Sequence, residues 1–121
     1  MTRLSRKIFL AVLLVLSITG SALAGLQNFT LYNYSGRTIS RILLNPSRLP
    51  TWNTDNDLFT GRYPLGDRDS ALVKINTYPD DRLWDMRVYY TNDTYEEWTE
   101  LDLFEIYNIA IDESGTIYWN F

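Results

Sequence analysis

The sequence predicts an all-β fold, a small antiparallel β-sandwich or partly open barrel of about seven short strands. Apolar and polar residues alternate with a period of two over several short segments. Turn-forming residues separate these segments, and no segment beyond the N-terminal 24 residues has a long helical pattern. Without cysteine, stability has to come from burial, for which the 15% aromatic residues are well suited.

The clearest segment is Leu83 to Leu103, which predicts two strands joined by a polar turn at Thr91 to Thr94. In the second arm Trp98 and Leu101 differ in phase, which predicts a bulge near Thr99-Glu100. The face of the first arm predicted to point into the core consists of Trp84, Met86, Val88 and Tyr90.

Residues 1–24 are predicted to be a signal peptide. Basic residues precede a short apolar run, and Ser21-Ala22-Leu23-Ala24 has the small-residue pattern that signal peptidase cleaves. Cleavage after Ala24 would leave residues 25–121 as a single β domain that is periplasmic or secreted and not stably inserted in a membrane. The alternative is an uncleaved N-terminal anchor.

The remaining strands follow in chain order. Leu26 to Leu44 predicts a first hairpin with its turn at Ser35-Gly36 and a bulge near Ser40-Arg41, and Asn45-Pro46 ends it. Residues 46–68 form a long connection, with one helical turn predicted at Asn53 to Phe59.

A further strand is predicted from Ser70 to Thr77, with Ala71, Val73 and Ile75 pointing inward. A closing hairpin, Ile106 to Ile111 and Thr116 to Phe121, has its turn at Asp112 to Gly115. In it, Ile109 and Ile111 are expected to face Ile117, Trp119 and Phe121. The predicted core consists of Phe29, Leu31, Ile39, Ile42, Val73, Ile75, Trp84, Met86, Val88, Tyr90, Trp98, Leu103, Ile109 and Trp119.

Charge argues against nucleic acid as a partner. Of 11 basic and 15 acidic residues, three basic and no acidic ones lie in residues 1–24, so residues 25–121 carry 8 basic and 15 acidic side chains, a net charge of −7. Binding to phosphates needs a cationic surface.

Most enzyme chemistry is also disfavoured, because the chain has no His and no Cys. It has no phosphate-binding loop, dinucleotide-binding glycine pattern or nucleophile elbow. A carboxylate-based glycoside hydrolase is one alternative, and its best-placed residues are Glu96, Glu97, Glu100 and Asp102 beside Trp98. We expect a binding or structural accessory protein instead.

Calcium is the alternative cofactor. Asn53, Asp55 and Asp57 place oxygen ligands at alternate positions, as at the start of a calcium loop. The EF-hand pattern fails, because Leu58 stands where that loop has Gly and Pro64 where it has Glu. The other interpretation is that these residues form turns and caps.

Tyr32, Tyr34, Tyr89 and Tyr95, with Trp52, are candidates for an exposed aromatic strip that binds a carbohydrate or a protein partner. The alternative is that most of them pack in the core or at sheet edges. The phase of Tyr89 decides between the two, since it is opposite to that of Trp84 and Met86.

The order of these features resembles a family of small exported bacterial proteins of unknown function, some of which carry a transferred argininosuccinate lyase name. The resemblance covers nearly all of residues 25–121 and implies the same all-β fold and exported location, but no catalytic residue. The matching residues are Phe29, Leu31, Asn33, Ser35-Gly36, Thr38-Ile39, Pro46-Ser47, Trp52, Asp57-Leu58, Gly61, Leu65, Val73, Ile75, Trp84-Asp85, Arg87-Val88, Tyr90, Trp98 and Asp102-Leu103.

The chain departs from this family in two places. Many relatives carry a Cys before the Trp-Asp pair and another after the Asp-Leu pair, where this chain has Arg82-Leu83 and Phe104. The glycine-containing turn of the family is replaced by Asn92-Asp93-Thr94. The first change removes a possible covalent link between the two arms of the hairpin.

Overall fold

The computed structural model describes residues 27–52, 64–75 and 77–121. In this part of the chain seven strands form two sheets, a four-stranded sheet in the order β3-β1-β6-β7 and a three-stranded sheet in the order β2-β4-β5. This confirms the predicted all-β fold, as a sandwich and not a closed barrel. The strands are β1 (Phe29–Asn33), β2 (Ile39–Pro46), β3 (Ser70–Val73), β4 (Leu83–Tyr90), β5 (Tyr95–Asp102), β6 (Asn108–Ile111) and β7 (Ile117–Trp119).

The hairpin of β4 and β5 forms as the alternation predicts. Its register shifts between Trp84 and Met86. The extra residue lies on β5, where Glu100 has a φ of 56° and donates its N–H to Asp85 Oδ1 at 3.0 Å. The predicted bulge near Thr99-Glu100 is therefore confirmed, and a side chain of the neighbouring strand satisfies its N–H.

The predicted first hairpin, Leu26 to Leu44, is wrong. β1 pairs with β3 and β6, whereas β2 pairs with β4 in the other sheet. The turn at Ser35-Gly36, where Gly36 has a φ of 76°, carries the chain from one sheet to the other. The bulge near Ser40-Arg41 is confirmed, because the register of β2 shifts between Ile39 and Arg41.

A buried asparagine explains this crossing. Asn33, which is 0% exposed, donates from Nδ2 to the carbonyls of Leu65 at 3.1 Å and Gly66 at 3.0 Å. Its Oδ1 accepts hydrogen bonds from the N–H and the hydroxyl of Ser35. These bonds bring the 64–66 segment against the end of β1 and turn the chain out of the four-stranded sheet.

The predicted closing hairpin is confirmed, and one of its strands also pairs with β1. β6 and β7 pair antiparallel, with Ile109 opposite Trp119 and Ile111 opposite Ile117, and Gly115 in the turn has a φ of 80°. β6 also pairs with β1, and these two strands run parallel while the other described pairings are antiparallel. The first and last parts of the domain therefore meet in one sheet.

The core lies between the two sheets. Trp84 is 0% exposed there and donates its indole N–H to the carbonyl of Asp81 at 2.8 Å. Two residues that were predicted to be in the core are not fully buried. Trp98 and Trp119 pack against the core but stay partly exposed. Phe121 was expected to face Ile109 and Ile111, and it is instead 49% exposed. The buried core cluster is Phe29, Leu31, Ile39, Ile42, Leu44, Leu65, Val73, Ile75, Trp84, Met86, Val88, Tyr90, Leu101, Leu103, Ile106, Ile109 and Ile111.

Candidate functional site

The four candidate tyrosines form two separate pairs. Tyr32 and Tyr34 stack at a centroid distance of 6.2 Å with an interplanar angle of 11°. Tyr89 and Tyr95 lie 5.5 Å apart at 39°. The first pair belongs to the four-stranded sheet and the second to the three-stranded sheet. A single strip through all four residues does not exist, so each pair has to be considered by itself.

An arginine of the same sheet contacts both tyrosines of the Tyr89 and Tyr95 pair. The Arg87 guanidinium lies 4.5 Å from the ring centroid of Trp52 and 5.0 Å from that of Tyr95. It donates to the Tyr89 hydroxyl at 3.2 Å and to Glu97 at 2.6 Å. Tyr89 does face away from the core, as its phase predicts, but these cation–π contacts place a charge of the protein itself over two of the rings.

The Tyr32 pair lies on a more open surface, which we call the tyrosine face and define by Tyr32, Tyr34, Tyr118 and Phe121. Tyr34 is 46% exposed and Phe121 is 49% exposed. The Phe121 ring meets the edge of Tyr32 at 5.3 Å and 66°. Tyr118 lies on this outer side of the sheet because it pairs with Ala110, which pairs with Tyr32, but its side chain is buried, with 7% exposed.

The strands under the tyrosine face present uncharged side chains to it. One row across the sheet runs Ser70, Tyr32, Ala110, Tyr118, and the next runs Leu72, Thr30, Asn108. These rows carry hydroxyl, amide and apolar groups only. The face thus offers flat rings together with neutral donors and acceptors.

One carboxylate stands at the margin of the face. The Tyr118 hydroxyl donates to Asp112 Oδ2 at 3.2 Å. Burial acts to raise the pKa of Asp112, but hydrogen bonds from Ser114, Thr116 and Tyr118 outweigh it, so that the pKa is lowered. Asp112 is held by the turn between β6 and β7, and it fixes the orientation of the Tyr118 ring.

Position and rigidity of the face come from the elements below it. Asn33, between Tyr32 and Tyr34, points into the protein and is locked by its buried hydrogen bonds. Tyr34 donates its N–H to the carbonyl of Ile111 at 2.9 Å. Phe121 turns onto the face because Asn120 has a φ of 56°, which breaks the alternation after β7. Asparagine tolerates this conformation, and that was the signal in the sequence for the placement of Phe121.

A second concave surface lies between the edges of the two sheets. It is an open groove of about 500 Å³ between β5 and β7. Its walls hold Trp98 and Trp119, whose partial exposure the alternation did not predict, and its rim is acidic. The lining residues are Glu97, Trp98, Thr99, Glu100, Leu101, Asp102, Glu105, Ile106, Ile117 and Trp119.

The carboxylates considered for glycoside hydrolysis lie on and near this groove, and three of them are held in ion pairs. Glu96 pairs with Arg37 at 2.8 Å, Glu97 with Arg87 at 2.6 Å and Asp102 with Arg82 at 2.9 Å. The Tyr90 hydroxyl also donates to Glu96 at 2.5 Å, and burial beside that carboxylate raises the pKa of Tyr90.

Glu105 was not among the candidates from the sequence. Burial, and then the charge of Asp102, raise the pKa of Glu105, while Arg82 opposes this at 3.9 Å. A carboxyl with a raised pKa in a groove is the group that an acid catalyst would need. Its sequence neighbours gave no sign of burial, because it lies in the turn after β5 and not in an alternating strand.

The calcium candidates Asn53, Asp55 and Asp57 lie outside the described residues, as does the predicted helical turn at Asn53 to Phe59. Within the described ranges no three His, Cys, Asp or Glu residues are grouped so that they could hold a metal ion. In the same ranges no helix has the length and apolar character to cross a membrane.

Comparison with protein-family models, with curated proteins and with solved structures finds no match for this chain. The resemblance to small exported bacterial proteins therefore stays a prediction from the residues that carry it.

Proposed function

We propose that this protein is an exported, non-catalytic binding domain and that its tyrosine face binds a neutral carbohydrate. The observation that carries the proposal is the parallel stacking of Tyr32 and Tyr34, with Tyr34 46% exposed, on rows of uncharged side chains. A pyranose ring has an apolar C–H face, which packs on an aromatic ring, and hydroxyl groups around its edge, which need hydrogen-bond partners.

The uncharged character of the face favours a neutral ligand over an ionic one. Residues 25–121 carry a net charge of −7, yet the strand rows beneath the tyrosine face contribute no formal charge. A cationic partner would gain more at the acidic surfaces elsewhere, and an anionic one would be repelled by the domain as a whole. Exposed aromatic patches rimmed by polar groups are typical of binding surfaces.

Two further observations support binding without catalysis. The chain has no His and no Cys, and the carboxylates near Trp98 are mostly committed to arginine partners. Among the described residues, Asp112 lies at the margin of the tyrosine face, and the hydrogen bonds of its turn hold its carboxylate in place.

Export is the second part of the proposal, and the pattern of residues 1–24 supports it. Intact-mass measurement of the protein recovered from the periplasm or the medium tests it. We expect a chain that begins at Gly25, and a full-length chain in the membrane fraction would contradict this part alone.

The binding part is tested by native gel electrophoresis in gels that contain one neutral polysaccharide each: xylan, laminarin, amylose or hydroxyethylcellulose. We expect at least one of them to retard the protein. Tyr34→Ala should weaken that binding about two- to tenfold, since an aromatic contact is worth about 0.5 to 1.5 kcal/mol.

Tyr95→Ala is the matched control. It removes the same side chain at a position that is 54% exposed on the other sheet, so we expect binding to stay within twofold, or about 0.4 kcal/mol. If no polysaccharide retards the protein, or if the two variants lose affinity equally, the tyrosine face is not a carbohydrate site.

A further inference from the structure

The groove between β5 and β7 lies where both sheets end. β5 is an edge strand of the three-stranded sheet and β7 is an edge strand of the four-stranded sheet. Tyr90 donates its N–H to the carbonyl of Thr94 at 2.9 Å, so the alternate residues Tyr95 and Glu97 direct their backbone groups away from β4. The long edge of β5 therefore presents hydrogen-bonding groups beside the groove.

The floor of the groove is apolar and fixed in place. Trp98 packs on the core and donates its indole N–H to the carbonyl of Gly115 at 3.0 Å, which ties β5 to the turn between β6 and β7. Trp119 and Ile117 supply the opposite wall from β7, and Ile106 closes one end. A volume of about 500 Å³ is in the range of pockets that take a small ligand or a few side chains.

The charges on the rim of the groove determine which ligand charge is favoured. Glu97, Glu100, Asp102 and Glu105 line the groove. Arg87 pairs with Glu97 and Arg82 pairs with Asp102. Two guanidinium groups therefore offset the charge of two of the four carboxylates. The local charge stays negative, and a cationic ligand is favoured.

We propose that this groove binds an extended cationic peptide segment of a partner protein, which adds as a further strand to the edge of β5 that no other described strand pairs with. Its alternate side chains would enter the groove against Trp98 and Trp119, and its Lys or Arg side chains would meet Glu100 and Glu105. Strand addition of this kind takes its affinity from backbone hydrogen bonds and its specificity from the pockets and charges alongside.

A second copy of this chain does not fit the same edge. Two copies related by a twofold axis would place the same patch of each against the other, which would bring the carboxylates of Glu97, Glu100 and Glu105 from both copies into one interface. Like charges in such an interface oppose association. This surface is separate from the tyrosine face, so the inference does not depend on carbohydrate binding.

The test uses a synthetic peptide, acetyl-Lys-Val-Lys-Val-Lys-Val-amide, and isothermal titration with the full protein at low salt. Two control peptides accompany it. One replaces every Lys by Glu, and the other carries N-methyl groups on alternate residues, which removes the strand-forming donors but keeps the charge. We expect the first peptide to bind, with an affinity that falls as salt is added, and each control to bind at least about tenfold more weakly.

Variants locate the site. Glu100→Gln with Glu105→Gln should weaken the peptide about tenfold or more, because it removes two charges from the rim without changing the shape of the side chains. Glu113→Gln with Asp80→Asn is the matched control, since it removes two exposed acidic charges that do not line the groove. We expect it to change the affinity less than about twofold.

Several results would overturn the inference. Equal affinity for the Lys and Glu peptides would show that the charge of the rim plays no part, and equal affinity for the N-methylated peptide would rule out strand addition. Displacement of the peptide by a soluble oligosaccharide would assign the groove to carbohydrate. A concentration-dependent dimer that the peptide dissociates would assign it to a second copy of the chain, and absence of binding would remove the site.

Discussion

The carboxylate of Glu96 occupies the place where a side chain at position 115 would begin. A Cβ added to Gly115 would overlap with Glu96 Oε2, and Gly115 also has a φ of 80°. Glu96 is held there by Arg37 and by the Tyr90 hydroxyl. An alanine at position 115 would therefore require the Glu96 carboxylate to move away from Arg37 and the Tyr90 hydroxyl.

The first prediction is that Gly115→Ala destabilises the fold by about 2 to 5 kcal/mol, from backbone strain of about 1 to 2 kcal/mol and overlap of about 1 to 3 kcal/mol. Gly36→Ala is the matched control. Gly36 has a φ of 76°, but its added Cβ would meet nothing closer than Glu113 Cγ at 3.6 Å, so it should show the strain alone. Urea unfolding measures both, and equal losses would contradict the close fit of Glu96.

The second prediction concerns the buried asparagine at the crossing between the sheets. Asn33→Ala should cost at least about 2 kcal/mol, since the carbonyls of Leu65 and Gly66 lose their donor, and a buried unpaired group costs about 1 to 3 kcal/mol. Asn92→Ala removes local bonds to Thr94 in an exposed turn and should stay within about 0.5 kcal/mol. Comparable losses in the two variants, measured by thermal unfolding, would argue against the role of Asn33.

The third prediction is that Trp84→Ala costs about 3 to 5 kcal/mol, enough to threaten a domain of this size. The side chain is 0% exposed and its indole N–H is bonded. Trp98→Ala should cost less, because Trp98 is only partly buried. An unchanged thermal midpoint for Trp84→Ala would mean that the β4 and β5 hairpin is not the centre of the fold.

The fourth prediction concerns pH. Burial raises the pKa of Glu105 in the folded protein above its ordinary value of 4.5. The folded state therefore binds the proton more tightly than the unfolded state, so this residue lowers the stability as the pH rises from about 4.5, and the full cost is reached above its folded pKa. Glu105→Gln removes that cost, so the variant should be more stable than the natural protein at pH 7.

This gain should shrink as the pH falls through the folded pKa of Glu105 towards 4.5, because the natural side chain then becomes neutral too. Glu113→Gln, at an exposed turn position, is the control for a general charge effect. Thermal midpoints of both variants between pH 4 and pH 7, about the range in which such a group titrates, make the comparison. A Glu105→Gln difference that does not change with pH would contradict the raised pKa.

Local alternation was sufficient to predict the hairpin around Trp84 and its bulge near Thr99-Glu100, because both depend on side chains a few residues apart. The crossing after β1 was not predictable in this way. It depends on hydrogen bonds from Asn33 to Leu65 and Gly66, more than thirty residues away. A turn residue such as Gly36 shows that the chain turns but not which sheet receives it.

In the candidate site, too, the features that depend on neighbouring residues were predictable, and those that depend on distant residues were not. The outward direction of Tyr89 follows from its phase against Trp84, and the structure confirms it. The separation of the two tyrosine pairs depends on the sheet assignment of β1, which the sequence did not provide. The groove was missed because it forms between the edges of β5 and β7, two strands that do not pair with each other.

Carbohydrate binding at the tyrosine face is tested most directly by titrating the ¹⁵N-labelled protein with a short oligosaccharide of whichever polysaccharide retards it and following the amide chemical shifts. We expect saturable shifts at Thr30, Tyr32, Tyr34, Asn108 and Phe121, with little change along β5. Shifts confined to β4 and β5, or no saturable shift at the tyrosine face, would show that the carbohydrate does not bind there.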